Sequence, residues 1–287
     1  MSVKKDPSGR RSIQVEVEVP GTPEEVWAAI ATGPGISSWF VPTRSEQREG
    51  GEVVCTFGPG MDSPATITTW QPPTLFVTEG DMGMPGSPKV ATEWSVEARS
   101  GGTCIVRVVH SLFASTDDWD NQLTGLEEGW PTYFRILRMY LANFKGQPCS
   151  LMQFVGFSAE SESAAWEKAG RALGLLSVRP GQTWAAPAAF PRMSGVVESV
   201  GAATHKHTVL IRLGTPGEAP GSAYVGAFSC GGMVMVCMSV YLYGDKARVA
   251  IERDEPTWQK WMSEQFPPPP SPPSPPSPPM PEAPAGG

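Results

Sequence analysis

The chain has 287 residues, of which 40% are hydrophobic and 18% are charged, and its 22 basic and 29 acidic side chains give a net charge of -7. This composition is globular, the length favours two domains, and a negative chain without a basic stripe disfavours nucleic acid as a partner. No apolar run is long enough to cross a bilayer, so we expect a cytoplasmic protein with no membrane partner.

Both ends of the chain are predicted to be disordered. Residues 1–11 are polar and basic with no apolar core behind them, which argues against a secretion signal. Residues 267–287 are mostly proline, serine and small residues, as expected for an extended polyproline II tail that is solvated or docks on an aromatic groove. The boundaries place one domain at 12–147 and a second at 148–266.

The cysteines give no sign of disulfides or of a zinc site. They are odd in number and widely spaced, and no Cys-x-x-Cys pair occurs among Cys55, Cys104, Cys149, Cys230 and Cys237. Reduced thiols, mostly buried in strands, are the simplest interpretation.

The first predicted elements are a strand and two short helices. Ile13, Val15, Val17 and Val19 alternate with polar residues, which is typical of a half-buried strand. Thr22, Pro23 and Glu25 then form a capping box at a helix start. Gly33, Pro34 and Gly35 are expected to interrupt this helix, and a second short helix presents Trp39 and Phe40 before Pro42.

Five strands between Gly50 and Leu112 are predicted to form a curved antiparallel sheet, because turn-rich segments separate them. The first of these strands ends at Phe57. The alternation of polar and apolar residues turns Trp94 and His110 toward the interior of the sheet.

A long helix follows, and Ser115, Thr116, Asp117 and Asp118 are predicted to cap it. Pro131, beside Gly129, is expected to kink it. Steps of three and four residues place its apolar residues on one face: Trp119, Leu123, Leu126, Trp130, Tyr133, Phe134, Leu137 and Leu141.

This order of elements resembles the helix-grip superfamily of START, SRPBCC and birch-pollen-allergen-like proteins. VEVEVPGTPEEVWAAI, the Gly50-Gly51-Glu52 turn, PPTLFVTEG, TEWSVEARSGGTCIVRVVHSLF and the Gly129-Trp130 helix look like the activator-of-heat-shock-ATPase homologue branch, over about Ser12 to Lys145. The resemblance implies that the long helix closes an apolar cavity lined by Trp94, His110, Trp130, Tyr133, Phe134 and Leu137. We add Trp39, Phe40 and Phe57 as candidate ligand-binding residues; a solid aromatic core is the alternative.

The second half repeats the pattern weakly, with Trp166 echoing Trp27. A strand at 151–158, a helix, four further strands and a closing helix at 256–266 are predicted. The closing helix has only about three turns, which is too short to cover a sheet, so any second cavity should be small or open. The predicted fold class is α+β, with two helix-grip domains, each a curved antiparallel sheet packed on a C-terminal helix; the second is degenerate.

The sequence favours binding over catalysis. His205 and His207 lack partners at ligand spacing, so no metal site is predicted, and the sequence lacks the common hydrolase, phosphate-loop and dinucleotide motifs, so no cofactor is predicted. His110 is the one catalytic candidate; a core histidine with satisfied hydrogen bonds is the competing interpretation.

The leading hypothesis is a non-enzymatic binding protein for a hydrophobic, polycyclic or aromatic natural product, serving carriage, sequestration or antibiotic self-resistance. One alternative is a co-regulator of a chaperone ATPase, although the additional N-terminal domain of the eukaryotic activators has no counterpart here. The other is an enzyme similar to polyketide aromatases and cyclases, in which His110 and Tyr133 would orient a reactive chain.

Overall fold

The chain forms two antiparallel sheets, each followed by a C-terminal helix, so the predicted α+β class is confirmed. A computed structural model describes residues 3–81, 88–114, 119–201, 206–230 and 233–268. The predicted cap at Ser115–Asp118, His205 and most of the proline-rich tail lie outside these residues. Within them, no helix combines the length and the apolar character needed to span a membrane.

The first sheet has eight strands, in the order β1-β2-β8-β7-β6-β5-β4-β3. Two short helices lie between β2 and β3, and a long helix follows β8. The elements are β1 (Lys4–Lys5), β2 (Arg10–Pro20), α1 (Pro23–Ala31), α2 (Gly33–Ser37), β3 (Thr43–Ser45), β4 (Glu52–Thr56), β5 (Asp62–Gln71), β6 (Leu75–Gly80), β7 (Val90–Arg99), β8 (Thr103–Phe113) and α3 (Asp120–Asn143).

The second sheet has six strands, in the order β10-β11-β12-β13-β14-β9. In both sheets an early strand pairs with the last one, β2 with β8 and β9 with β14, and the weak repeat is therefore a repeat of topology. The elements are β9 (Cys149–Ser158), α4 (Glu162–Leu173), β10 (Thr183–Ala185), β11 (Ser194–Val200), β12 (Thr208–Leu213), β13 (Gly221–Cys230), β14 (Met233–Tyr243) and α5 (Ala247–Gln265).

The start of α1 has the predicted capping box: the Thr22 side chain accepts from the Glu25 amide, and the Glu25 carboxylate accepts from the Thr22 amide. The expectation for Gly33-Pro34-Gly35 was wrong, because these residues begin α2 instead of separating two helices. The Thr32 hydroxyl accepts from the Gly35 amide, and Pro34 lies in the first turn, where an amide hydrogen has no partner in the helix.

The N-terminus was also predicted wrongly, because residues within 1–11 form strands. β1 pairs with the start of β2, and Asp6 accepts hydrogen bonds from Ser8 and Arg10 in the turn between them. Lys5 and Arg11 make ion pairs with Asp120 at the start of α3. Strand pairing with β2 and ion pairs with a later helix are long-range contacts, and a local hydrophobic pattern does not predict them.

The start and the length of the closing helix were also predicted wrongly. α5 runs over Ala247–Gln265 and so begins nine residues before Pro256, where the sequence pattern placed its first turn. Proline removes one helical amide, and an exposed position can tolerate that loss when good helix formers precede it. With 19 residues, α5 is long enough to pack on β9 and β14, contrary to the expectation of a three-turn helix.

Strand β14 is buried on both of its faces. Val236, Met238 and Val240 belong to the core between the second sheet and its own helices. Tyr241 and Tyr243, which alternate with them, belong to the core that contains α3 and the first sheet. The two sheets therefore share α3, one on each side of it.

The exposed Pro256 gives a test of the α5 boundary. Replacement with alanine restores an amide donor in the middle of a continuous helix and should raise the free energy of unfolding by about 1 to 3 kcal/mol, measured by urea denaturation. If α5 began at Pro256, the proline would occupy a favourable first-turn position, and the same substitution would leave stability unchanged or lower it.

Candidate functional site

An aromatic cluster lies between the first sheet and α3. Its members come from the segment after α2, the end of β4, strands β7 and β8, and α3. We define the aromatic cluster as Trp39, Phe40, Phe57, Trp94, His110, Trp130, Tyr133 and Phe134. Leu137, the ninth candidate residue, is fully buried in the same core but is not an aromatic contact.

Trp130 occupies the middle of the aromatic cluster. Its ring centroid lies 5.0 Å from that of Trp94, 5.3 Å from that of Phe40 and 5.4 Å from that of Phe134. These are contact distances for aromatic rings, so side chains fill the space around the Trp130 ring. A ligand that reached this ring would have to take the place of a neighbouring side chain.

Phe40, Phe57 and Tyr133 form the rim of the cluster. The Phe40 ring lies 4.6 Å from Tyr133 and 5.7 Å from Phe57. All three rim residues keep part of their surface exposed, whereas Trp39 is 1% and Trp130 is 7% exposed. Phe40 is therefore a partly exposed ring that stacks on the buried Trp130.

His110 has both ring nitrogens engaged. The Trp130 indole Nε1–H donates to Nε2 at 2.7 Å, so in the neutral imidazole the proton lies on Nδ1, which donates to Thr92 Oγ1 at 2.9 Å. Burial without a counter-charge lowers the pKa of His110 to about 4. His110 is thus a neutral core histidine with satisfied hydrogen bonds, and its nitrogens reach no other molecule unless Trp130 moves.

Several aromatic neighbours of the cluster were not among the sequence candidates. Trp27, Trp70 and Phe76 extend it along the sheet: the rings of Trp27 and Trp70 are 5.0 Å apart, and Phe76 stacks 6.2 Å from Trp94. The sequence pattern could have identified these three residues. Trp27 lies on the apolar side of α1, and Trp70 and Phe76 are directly opposite each other in β5 and β6.

The second sheet packs against one side of the aromatic cluster, which sequence reasoning also missed. The Tyr224 ring lies 5.9 Å from Tyr133, and Tyr243 stacks at 4.2 Å on Phe144, the residue that follows α3. Burial, reinforced by the nearby Cys237, raises the pKa of Tyr133 above its ordinary range, so its phenol stays protonated. These contacts join residues far apart in the chain, and strand alternation alone does not pair them.

The described residues contain no cluster of three or more His, Cys, Asp and Glu side chains that could hold a metal ion. Cys55, Cys104, Cys149 and Cys237 are free thiols, and burial raises the pKa of Cys237 to about 12. A thiol with so high a pKa is a poor nucleophile. His207, which lies 6.1 Å from Trp166 and within 3.3 Å of the Ser163 hydroxyl, is remote from the aromatic cluster in sequence and in packing.

Because the pKa of His110 is depressed, the residue makes stability depend on pH. The unfolded chain takes up a proton near pH 6.5 and the folded chain only near 4, so the stabilisation is complete above 6.5 and falls as the pH drops to 4. The full loss is about 3 kcal/mol. His110→Gln should remove this part of the slope of unfolding free energy against pH, and His207→Gln should retain it. Equal slopes for the wild type and His110→Gln would contradict the burial of a neutral imidazole.

Residues 10–139 match the model of the family described as polyketide cyclase / dehydrase and lipid transport, which is less than half of the 287 residues. None of the curated proteins matches the chain. Among solved structures, CalU16 from Micromonospora echinospora is 20% identical, with a TM-score of 0.40 over 50% of this chain and 83% of that chain.

Two other solved structures are similar over most of the chain. DynU16, a putative protein in the dynemicin biosynthetic locus, is 16% identical, with a TM-score of 0.41 over 88% of this chain and 96% of that chain. BexL, a di-domain ARO/CYC from the BE-7585A biosynthetic pathway, is 11% identical, with a TM-score of 0.43 over 89% of this chain and 97% of that chain. Likenesses at this level say nothing about function. The family match and the strand order identify the first sheet with α3 as a helix-grip fold.

Proposed function

We propose that the chain binds a hydrophobic, aromatic small molecule at the aromatic cluster, with Trp130 as the main contact. The observation that supports this proposal is the difference in solvent exposure between Trp130 and the rim. Buried Trp130 stacks on the ring of Phe40, and the rim formed by Phe40, Phe57 and Tyr133 is partly exposed. An apolar site next to a partly exposed aromatic rim suits a planar apolar ligand.

Side chains fill the aromatic cluster, so a ligand can bind there only by displacing one of the aromatic rings. A planar ligand that takes the place of the Phe40 ring stacks on Trp130 in its stead, so one aromatic contact replaces another. The cost is the displacement of Phe40, and the gain is the burial of the ligand's apolar surface. The description of the matched family, which includes lipid transport, is consistent with an apolar ligand.

Fluorescence titration tests the site. A water-soluble anthraquinone sulfonate, which is planar and aromatic, should quench tryptophan fluorescence with micromolar affinity, and Trp130→Phe should weaken this binding by about tenfold because a smaller ring offers less stacking surface. Trp166→Phe, which removes a tryptophan beside His207, is the matched control and should bind as the wild type does. Equal weakening in both variants, or no saturable quenching in the wild type, would refute the site.

A second candidate function is catalysis, because the matched family's description also names cyclisation and dehydration. His110 is the only imidazole in the aromatic cluster, and its protonation near pH 4 makes it a weak base at neutral pH. Its Nε2 is also occupied by the Trp130 indole. Both features favour binding over proton transfer.

The catalytic alternative has its own test. If His110 transfers protons, His110→Gln will lose turnover of a linear polyketide-like substrate while keeping its affinity, and the wild type will show turnover in the first place. We expect no product from the wild type, measured by mass spectrometry of the substrate after incubation. Product that depends on His110 would replace the binding proposal with an enzymatic one.

A further inference from the structure

Side chains of the second sheet donate hydrogen bonds to backbone carbonyls in and beside the rim of the aromatic cluster. The Tyr243 hydroxyl donates to the Ser38 carbonyl at 2.7 Å, and the Tyr241 hydroxyl donates to the Phe40 carbonyl. Gln153 Nε2 of β9 donates to the Phe57 carbonyl at 3.5 Å. The second sheet thus hydrogen-bonds the backbone on both sides of Trp39 and at both phenylalanines of the rim.

The segment that the two tyrosines hold is anchored unevenly by its own half of the chain, and its first residue is well fixed, since the Ser38 hydroxyl donates to the Pro34 carbonyl at 2.8 Å. It follows a helix of only five residues, and the Trp39 and Phe40 amides both donate to the Ile36 carbonyl, at 3.2 and 2.9 Å. Trp39 is fixed separately, since its indole nitrogen donates to the Ala29 carbonyl at 2.9 Å in the core. Phe40 has no such side-chain anchor, so its position depends on ring contacts and on its backbone.

Tyr241 and Tyr243 are themselves fixed. Both are at most 1% exposed, they lie two residues apart on one face of β14, and Tyr243 stacks on Tyr140 of α3 and on Phe144, which follows α3. Burial raises the pKa of both phenols, which keeps them protonated as hydrogen-bond donors at neutral pH. Buried donors on the second sheet therefore hold the backbone on both sides of Trp39, and Phe40, which has the fewest anchors of its own, depends on them most.

We propose that the second sheet controls access to the aromatic cluster: Tyr241 and Tyr243 hold Ser38–Phe40 in the closed position, and release of this segment exposes Trp130 to an aromatic ligand. Tyr241 and Tyr243 are positioning residues, because they act on the ligand through Phe40. The part that concerns the ligand depends on the proposed function, whereas the hold on Ser38–Phe40 does not.

Hydrogen exchange tests the hold without any ligand. In Tyr241→Phe and Tyr243→Phe, each of which removes one hydrogen bond to the segment, the amides of Trp39 and Phe40 should exchange roughly five to ten times faster than in the wild type. The double variant removes both hydrogen bonds and should show the largest acceleration. The amides of paired strands β7 and β8 should exchange as before. The matched control is Tyr140→Phe, which removes a hydroxyl from the α3 side of the interface and leaves both donors to Ser38–Phe40 intact.

Stopped-flow fluorescence with anthraquinone sulfonate, applied to the same variants, tests whether the second sheet controls access to the aromatic cluster. Association should be faster in the tyrosine variants and unchanged in Tyr140→Phe. Unchanged exchange at Trp39 and Phe40, or acceleration across the whole first sheet, would overturn the proposed hold. Local acceleration with unchanged association would overturn the control of access. A wild type that does not bind the probe refutes the proposed function, and the exchange measurement still decides whether the tyrosines hold the segment.

Discussion

The hydrogen bond between Trp130 and His110 fixes the orientation of the ring at the middle of the aromatic cluster. It joins α3 to β8 between two buried side chains, where an indole N–H or an imidazole nitrogen without a partner would cost free energy. Thr92 completes the arrangement from the adjacent strand β7. Because these three groups satisfy one another, the large ring of Trp130 has one orientation, and the remaining rings of the aromatic cluster pack around it.

Helix α3, which contributes Trp130, is buried on two sides. Toward the first sheet it presents Trp130 and Phe134; toward the second it presents Tyr140, which stacks on Tyr243 together with Phe144 just after the helix. A helix in this position needs apolar residues around much of its circumference. It thereby couples the aromatic cluster to the second sheet, whose tyrosine hydroxyls reach the backbone of the rim.

The sequence was sufficient for those features that depend on local patterns. Strand alternation oriented Trp94 and His110 correctly, the capping box located α1, and the three- and four-residue steps found the side of α3 that meets the first sheet. Features set by long-range contacts could not be read in this way. Strand β1 pairs with β2 and meets Asp120 of α3, α5 packs against β9, and the second side of α3 contacts a tyrosine about one hundred residues later.

The sharing of α3 between the sheets has a consequence for how the chain behaves as a whole. Although the topology repeats and the second sheet keeps a core with its own helices, another core belongs to both halves: Tyr133 and Phe144 of the first repeat pack in it with Tyr224 and Tyr243 of the second. Removing either half would leave this surface facing water. The stability of each half therefore depends on the presence of the other, because each covers apolar surface of its neighbour.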